Sequence, residues 1–262
     1  MNRSGLFSAL RRLILGIVRT VLLAFILGCL YLFFFQRSMI YFPQPKQIPS
    51  PTLSLPTAEG ATLVSVRDHD GPDALIYFGG NGEDVSLNLP DFSAAFPNHA
   101  LYLMHYRGYG GSAGNPSETA LMEDALALYE RVSSKHRNIV IAGRSLGSGV
   151  AVHLASLRPA TRLILITPYD SFGALAAQQF PYMPVRWLLQ DKFESNRYAP
   201  QITAPTLLLM AENDELIPRD STALLLTRFQ PGLATLRTIA GASHNTISED
   251  PQYIVTLKAF LE

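Results

Sequence analysis

From residue 61 onward the chain is punctuated by apolar runs of four to seven residues that lack polar alternation, set apart by loops or longer amphipathic segments. A run of that kind fits a strand covered on both faces rather than one with a solvent side. The pattern predicts strands over 62–66, 74–78, 100–106, 138–143, 162–167, 206–210 and 235–239, and helices over 117–136, 146–157, 221–229 and 251–261. In the first of these helices Leu121, Ala125, Leu128 and Val132 recur at helical spacing behind Pro116. Strand and helix in alternation imply a largely parallel sheet with right-handed crossovers and helices on both faces. The fold class is therefore α/β, and working residues are expected in loops at the carboxyl ends of strands.

The residues ahead of this region are a different material. From 13 to 35 the chain is apolar apart from Arg19, Thr20 and small residues, which suits the roughly 20-residue helix that crosses a bilayer. Residues 1–37 hold Arg3, Arg11, Arg12, Arg19 and Arg37 and no acid, so the remainder carries a net charge of −5. Arginines ahead of the span predict a cytoplasmic N-terminus and a domain on the far side of the membrane, periplasmic if the source is bacterial. Arg19, inside the span, is expected to snorkel back to the head groups. A retained signal-anchor fits best. A cleaved signal peptide fits less well, because the run reaches Phe35 without a small-x-small site. Ile26-Leu27-Gly28-Cys29 loosely resembles a lipobox that would place a lipid on Cys29, although the segment after it stays hydrophobic.

The expected organisation is a cytoplasmic end and span over 1–36, a proline-rich linker over 37–60, and one domain over 61–262 with a short cap at 168–204. Pro43, Pro45, Pro49, Pro51 and Pro56 exclude a continuous helix or a central strand from the linker. Tyr41 and Phe42 fit either the membrane interface or the domain surface. At 48% hydrophobic and 16% charged residues the chain is no disordered segment, and a formal charge of +0 argues against nucleic acid as a partner. A single cysteine excludes an intramolecular disulfide framework and a cysteine-based zinc cluster.

The strongest chemical signal is Gly143-Arg144-Ser145-Leu146-Gly147, a G-x-S-x-G pattern that follows an apolar strand and opens a helix. In that context the glycines allow a strained turn that lifts the Ser145 hydroxyl clear of the backbone. A serine hydroxyl needs a base. His244 is the candidate because Gly241-Ala242-Ser243-His244-Asn245 lies between the last strand and the last helix; His105, at the end of another strand, is the rival. His69, His99 and His136 fall in polar loop or helix-end contexts, and His153 lies within a helix. The acid that orients the imidazole is read as Asp214, in Ala211-Glu212-Asn213-Asp214-Glu215, with Glu212 and Asp170 as alternatives. An oxyanion needs backbone donors. The N–H of Leu146 is the first, and the N–H of Asn81, in Gly79-Gly80-Asn81-Gly82, is the second.

These residues give the chain a clear likeness. Tyr77-Phe78-Gly79-Gly80-Asn81-Gly82, Tyr106-Arg107-Gly108-Tyr109-Gly110-Gly111-Ser112, Asn115-Pro116-Ser117-Glu118 and the segments 143–149, 211–218 and 241–245 follow in order. Over about residues 40–262 it resembles the α/β-hydrolase superfamily, in particular its membrane-tethered Bem46-like and ABHD13- or ABHD17-like branch. The resemblance implies the α/β-hydrolase fold and Ser145, Asp214 and His244 as the triad, with no metal and no organic cofactor. Relatives often have His-Gly where this chain has Gly79-Gly80, and an acid where it has His105.

The cap segment is rich in large apolar residues, among them Phe172, Phe180, Tyr182, Met183, Trp187 and Phe193. They fit either an acyl-chain pocket or the packing of the cap on the core. The expected activity is a membrane-anchored serine hydrolase cleaving a small-molecule or lipid acyl ester or thioester. A serine peptidase and a catalytically idle membrane-bound scaffold stand as alternatives.

Overall fold

A computed structural model describes residues 3–262; Met1 and Asn2, part of the expected cytoplasmic end, lie outside the described residues. The strands are β1 (Thr52–Thr57), β2 (Gly60–Arg67), β3 (Asp73–Phe78), β4 (Ala100–Met104), β5 (Asn138–Arg144), β6 (Arg162–Ile166), β7 (Thr206–Asn213) and β8 (Ala234–Ser243). They form one sheet in the order β1-β2-β4-β3-β5-β6-β7-β8, in which β1 and β2 run antiparallel to their neighbours and β4 through β8 pair in parallel.

The helices are α1 (Arg3–Ile40), α2 (Leu89–Ala95), α3 (Glu118–Ser133), α4 (Leu146–Leu157), α5 (Phe172–Gln179), α6 (Val185–Leu188), α7 (Ser195–Tyr198), α8 (Arg219–Leu226) and α9 (Pro251–Leu261). Alternate residues of the central strands feed two separate cores. In β3, Ala74, Ile76 and Phe78 join Leu121, Leu128, Val150 and Leu154 of α3 and α4, whereas Leu75 and Tyr77 join Phe92 of α2 and Tyr253 and Leu257 of α9. That two-sided burial is why these strands read as unbroken apolar runs.

Five of these elements lie outside the predicted ones: β1, α2 and the short helices α5, α6 and α7 of the cap segment. β1 lies within the proline-rich stretch, where Pro56 is tolerated because β1 is the edge strand and needs no donor on its outer side. The seven-residue α2, with Pro90 in its first turn, is too short for a period of 3.6 to register.

α1 runs to Ile40, five residues past the apolar stretch, and its most apolar window has a mean hydropathy of 2.5 with none of it buried. Its last turns dock on the 168–204 segment. Gln36 Nε2 donates to the Leu188 carbonyl at 3.1 Å while its Oε1 accepts from the Gln190 N–H at 2.7 Å. Arg37 pairs with Asp191 at 3.1 Å, and the Tyr41 hydroxyl donates to the same carboxylate at 3.1 Å. Tyr41 is therefore buried in the domain, while Phe42 stays about half exposed.

The stretch 106–118 ties the sheet to α3 and the cap. Arg107 grips Asp124 of α3 with two hydrogen bonds, 3.0 Å from Nε and 2.8 Å from Nη2, and Thr62 of β2 donates to the same carboxylate at 2.6 Å. Ser117 caps α3 by accepting the Ala120 N–H. Glu118 then accepts the N–H groups of Lys192 and Phe193 at 2.6 and 2.9 Å, which pins the chain as it leaves the cap. Arg107 and Asp124 are both buried, and Arg107 is also paired with the more exposed Glu59 and Glu123 at 3.2 and 3.5 Å, so Asp124→Ala leaves the buried guanidinium only partly compensated. We expect it to cost roughly 2–3 kcal/mol, less than a fully unpaired buried charge would, seen as a lowered midpoint in thermal or urea unfolding.

Candidate active site

Three strand ends supply the chemistry. Ser145 follows β5, Asp214 follows β7 and His244 follows β8. The structure brings them together: His244 Nε2 lies 3.0 Å from Ser145 Oγ, and His244 Nδ1 lies 2.9 Å from both carboxylate oxygens of Asp214. The carboxylate is held in turn by the N–H groups of Leu216 and Ile217, at 3.0 and 2.7 Å to Oδ1. The Glu215 carboxylate accepts the backbone N–H of His244 at 3.1 Å, a second tie between the two loops.

Ser145 sits at φ 50° and ψ −117°, a conformation that L residues occupy only under constraint. The constraint is steric. A Cβ on Gly143 would lie 2.2 Å from the Gly147 carbonyl oxygen, and one on Gly147 would lie 2.1 Å from that of Phe78. Both glycines of the motif are thus required by backbone packed against backbone. Burial works against the charge of Arg144, but Glu83, Tyr77 and Tyr253 together outweigh it and raise the pKa of the guanidinium above its usual value. Its Nη2 donates to the carbonyls of His244 and Asn245 at 3.1 and 3.0 Å, fastening the histidine loop. Sequence reasoning passed over Arg144, because a variable position of the motif carries no pattern of its own.

Leu146 is the first residue of α4, so its N–H has no intrahelical acceptor. No described residue accepts the N–H of Asn81 either, and Asn81 and Ser145 line the same cavity. The loop that carries Asn81 is tightly held. The Gly80 N–H donates to Glu83 at 2.7 Å, Tyr106 donates to the Gly79 carbonyl at 2.7 Å, and Tyr109 donates to the Asn81 carbonyl at 2.6 Å. The end of α1 holds it too: Asn81 Nδ2 donates to the Ile40 carbonyl at 2.9 Å, and the Phe42 N–H donates to the Asn81 carbonyl at 2.9 Å.

The rival residues have other partners. Glu212 accepts the Gly241 N–H at 2.8 Å, and Asp170 pairs with Arg228 at 3.0 Å. His105 is buried beside Ser65, whose hydroxyl lies 2.8 Å from its Nε2, and packs over Gly110. His136 is buried as well, between the Tyr102 hydroxyl and the Gly71 carbonyl, not solvated as a helix-end histidine would be.

Above Ser145 lies a cavity of about 360 Å³, in the range of small-molecule sites. Its walls come from the cap (Phe172, Phe180, Leu188), from Leu216 and Ile217 behind Asp214, and from Leu32, Gln36, Met39 and Ile40 of α1. The cap's large residues therefore divide. Phe172 and Phe180 face the cavity, Phe193 is fully buried in the core, and Tyr182 and Trp187 stand outside.

No family model matches the chain. Individual proteins do. Human alpha/beta hydrolase domain-containing protein 17B is 31% identical over 215 residues, covering 78% of this chain and 73% of that protein. Protein bem46 of Schizosaccharomyces pombe is 26% identical over 292 residues, covering 98% of this chain and 95% of its own. Among solved structures, an esterase of Pyrococcus furiosus superposes with a TM-score of 0.65 at 16% identity, covering 84% of this chain and 96% of that one, a likeness of fold.

The buried His105 also makes the fold sensitive to pH. Burial lowers its pKa to about 4, partly opposed by Asp84, so it stays neutral in the folded chain across the range where an unfolded histidine gains a proton. Its contribution is complete above the unfolded pKa near 6.5 and is lost as pH falls toward about 4. Between pH 7 and about 5 the loss should come to about 2 kcal/mol. Unfolding midpoints measured across that interval should fall, and His105→Gln should flatten that part of the slope.

Proposed function

The chain belongs to the α/β-hydrolase family, and on that premise we propose that it is a single-pass membrane serine hydrolase that cleaves carboxylic ester or thioester bonds through an acyl-enzyme on Ser145. The observation that carries this reading is the unbroken line from Ser145 Oγ through His244 to both oxygens of Asp214. Asp214 accepts a hydrogen bond from Nδ1–H and so holds the tautomer whose basic Nε2 lone pair faces the serine. Ser145 Oγ bonds to the acyl carbon as its proton passes to His244 Nε2. The carbonyl oxygen gathers negative charge and is met by the N–H groups of Leu146 and Asn81. His244 returns the proton to the departing alcohol or thiol. Water, deprotonated by the same nitrogen, then releases the acid and restores Ser145.

α1 is the proposed anchor. Its unburied apolar length exceeds what a bilayer core needs. The arginines ahead of it favour a cytoplasmic N-terminus with the site across the membrane. An ester or thioester is favoured over a peptide because the cavity walls beyond Ser145 and Asn81 are apolar except for Gln179 and Gln36, and the Gln36 amide is already bonded to the backbone of the cap.

A fluorophosphonate probe should label the full-length chain, and para-nitrophenyl esters should be turned over. Ser145→Ala should abolish both. His244→Ala should lower kcat by as much as about 10⁶-fold and Asp214→Asn by roughly 10⁴-fold. Labelling that survives in Ser145→Ala would overturn the assignment of the nucleophile. A loss confined to Glu212→Gln would overturn that of the acid.

A further inference from the structure

The cavity over Ser145 is not closed by the domain alone. Leu32, Gln36, Met39 and Ile40, spaced along one face of α1, complete its wall opposite the cap. We propose that this cavity is an acyl-chain site of which the membrane helix is a structural wall, and that the chain of a long-chain ester lipid enters it sideways from the bilayer, between α1 and the cap. The proposal rests on Ser145 as the nucleophile and on α1 as the membrane span.

Depth along the helix supports it. The methyl group of Met183, in the cap, lies 2.7 Å from where a Cβ on Gly28 would sit, so the tip of the cap packs on α1 at a residue without a side chain. Gly28 precedes Gln36 by eight residues, about 12 Å along the helix axis. If the span includes residues up to Phe35, the tip of the cap stands at the level of the acyl chains rather than in water.

Its exposed residues suit that position. Tyr182 is 91% exposed and Trp187 is 89% exposed, although both are large and apolar. At a membrane boundary Tyr and Trp are the favoured residues. Arg186, exposed between them in sequence, has the reach to snorkel toward a phosphate. The polar grip of α1 on the cap, through Gln36 and Arg37, sits at the end of the helix near Asn81. Toward Gly28 the contact is apolar, as the entry for a hydrocarbon chain needs to be.

The test is photocrosslinking of the full-length chain in phosphatidylcholine nanodiscs with a diazirine-bearing hexadecanoic acid, the adducts mapped by mass spectrometry. Adducts are expected to be enriched at Leu32, Gln36 and Met39 and in α5 and α6, relative to the outward-facing Phe34, which is 70% exposed. Leu32→Trp and Met39→Trp, which fill the cavity, should cut that enrichment about tenfold. They should lower the preference for para-nitrophenyl hexadecanoate over butanoate by about the same factor. Adducts spread evenly around α1, or an enrichment that both substitutions leave intact, would overturn the proposal. Crosslinking needs no turnover, so the two readings fail separately. Enriched adducts without fluorophosphonate labelling would remove the hydrolase and keep the chain site; labelling with evenly spread adducts would do the reverse.

Discussion

Everything at the site depends on one close approach, that of β5 and the first turn of α4 to the end of β3. The Phe78 carbonyl occupies space that any side chain at position 147 would need, and the Gly147 carbonyl does the same at position 143. With both positions empty, Ser145 is carried at φ 50° over the end of the sheet. The parallel pairing of β5 to β6, β6 to β7 and β7 to β8 then fixes where the other two loops emerge. Strain at one residue is thus offset by two apolar cores that hold the strands in register on both faces.

The loop that carries Asn81 is bonded from three directions: by Glu83 from within, by Tyr106 and Tyr109 from the segment after β4, and by Ile40 and Phe42 from the end of α1. A donor for a developing oxyanion acts best when it need not move at the moment of reaction. Those contacts supply the rigidity, and through Tyr109 they tie the Gly108-to-Ser112 turn to the site. Tyr109 does its work through a carbonyl whose own amide is the proposed donor.

The parallel sheet and the three strand-end loops were legible in the sequence because both rest on local signals. Unbroken apolar runs mark doubly covered strands, and G-x-S-x-G between a strand and a helix has few other uses. His244 could be singled out by its place between β8 and α9, but Asp214 is preferred to Glu212 only because residues 215–218 lead out to a helix and because the family resemblance implies it. Only the structure shows that Glu212 is taken up by the Gly241 amide while Asp214 faces the imidazole. What the sequence hid is long-range. Nothing local tells that Arg144 clasps the His244 loop, that His105 is buried against Ser65, or that the stretch behind α1 ends as an edge strand.

The largest such gap concerns α1 itself. A charged flank and an apolar run describe a tether, and a tether is interchangeable with any other. The structure gives its last turns specific work instead. Asp191, nearly closed off from solvent, has both Arg37 and the Tyr41 hydroxyl as partners. Asn81 spends its side-chain amide on the last carbonyl of the helix, and four residues of α1 face the cavity above Ser145. A chain cut just after Tyr41 would strand a buried carboxylate, which is costly without its cation. It would also release one support of the Asn81 loop and open the cavity along one side. Such a fragment is therefore no neutral reporter of chain-length preference. The helix and the hydrolase domain are one unit at the site, and the selectivity of this protein has to be measured with both present.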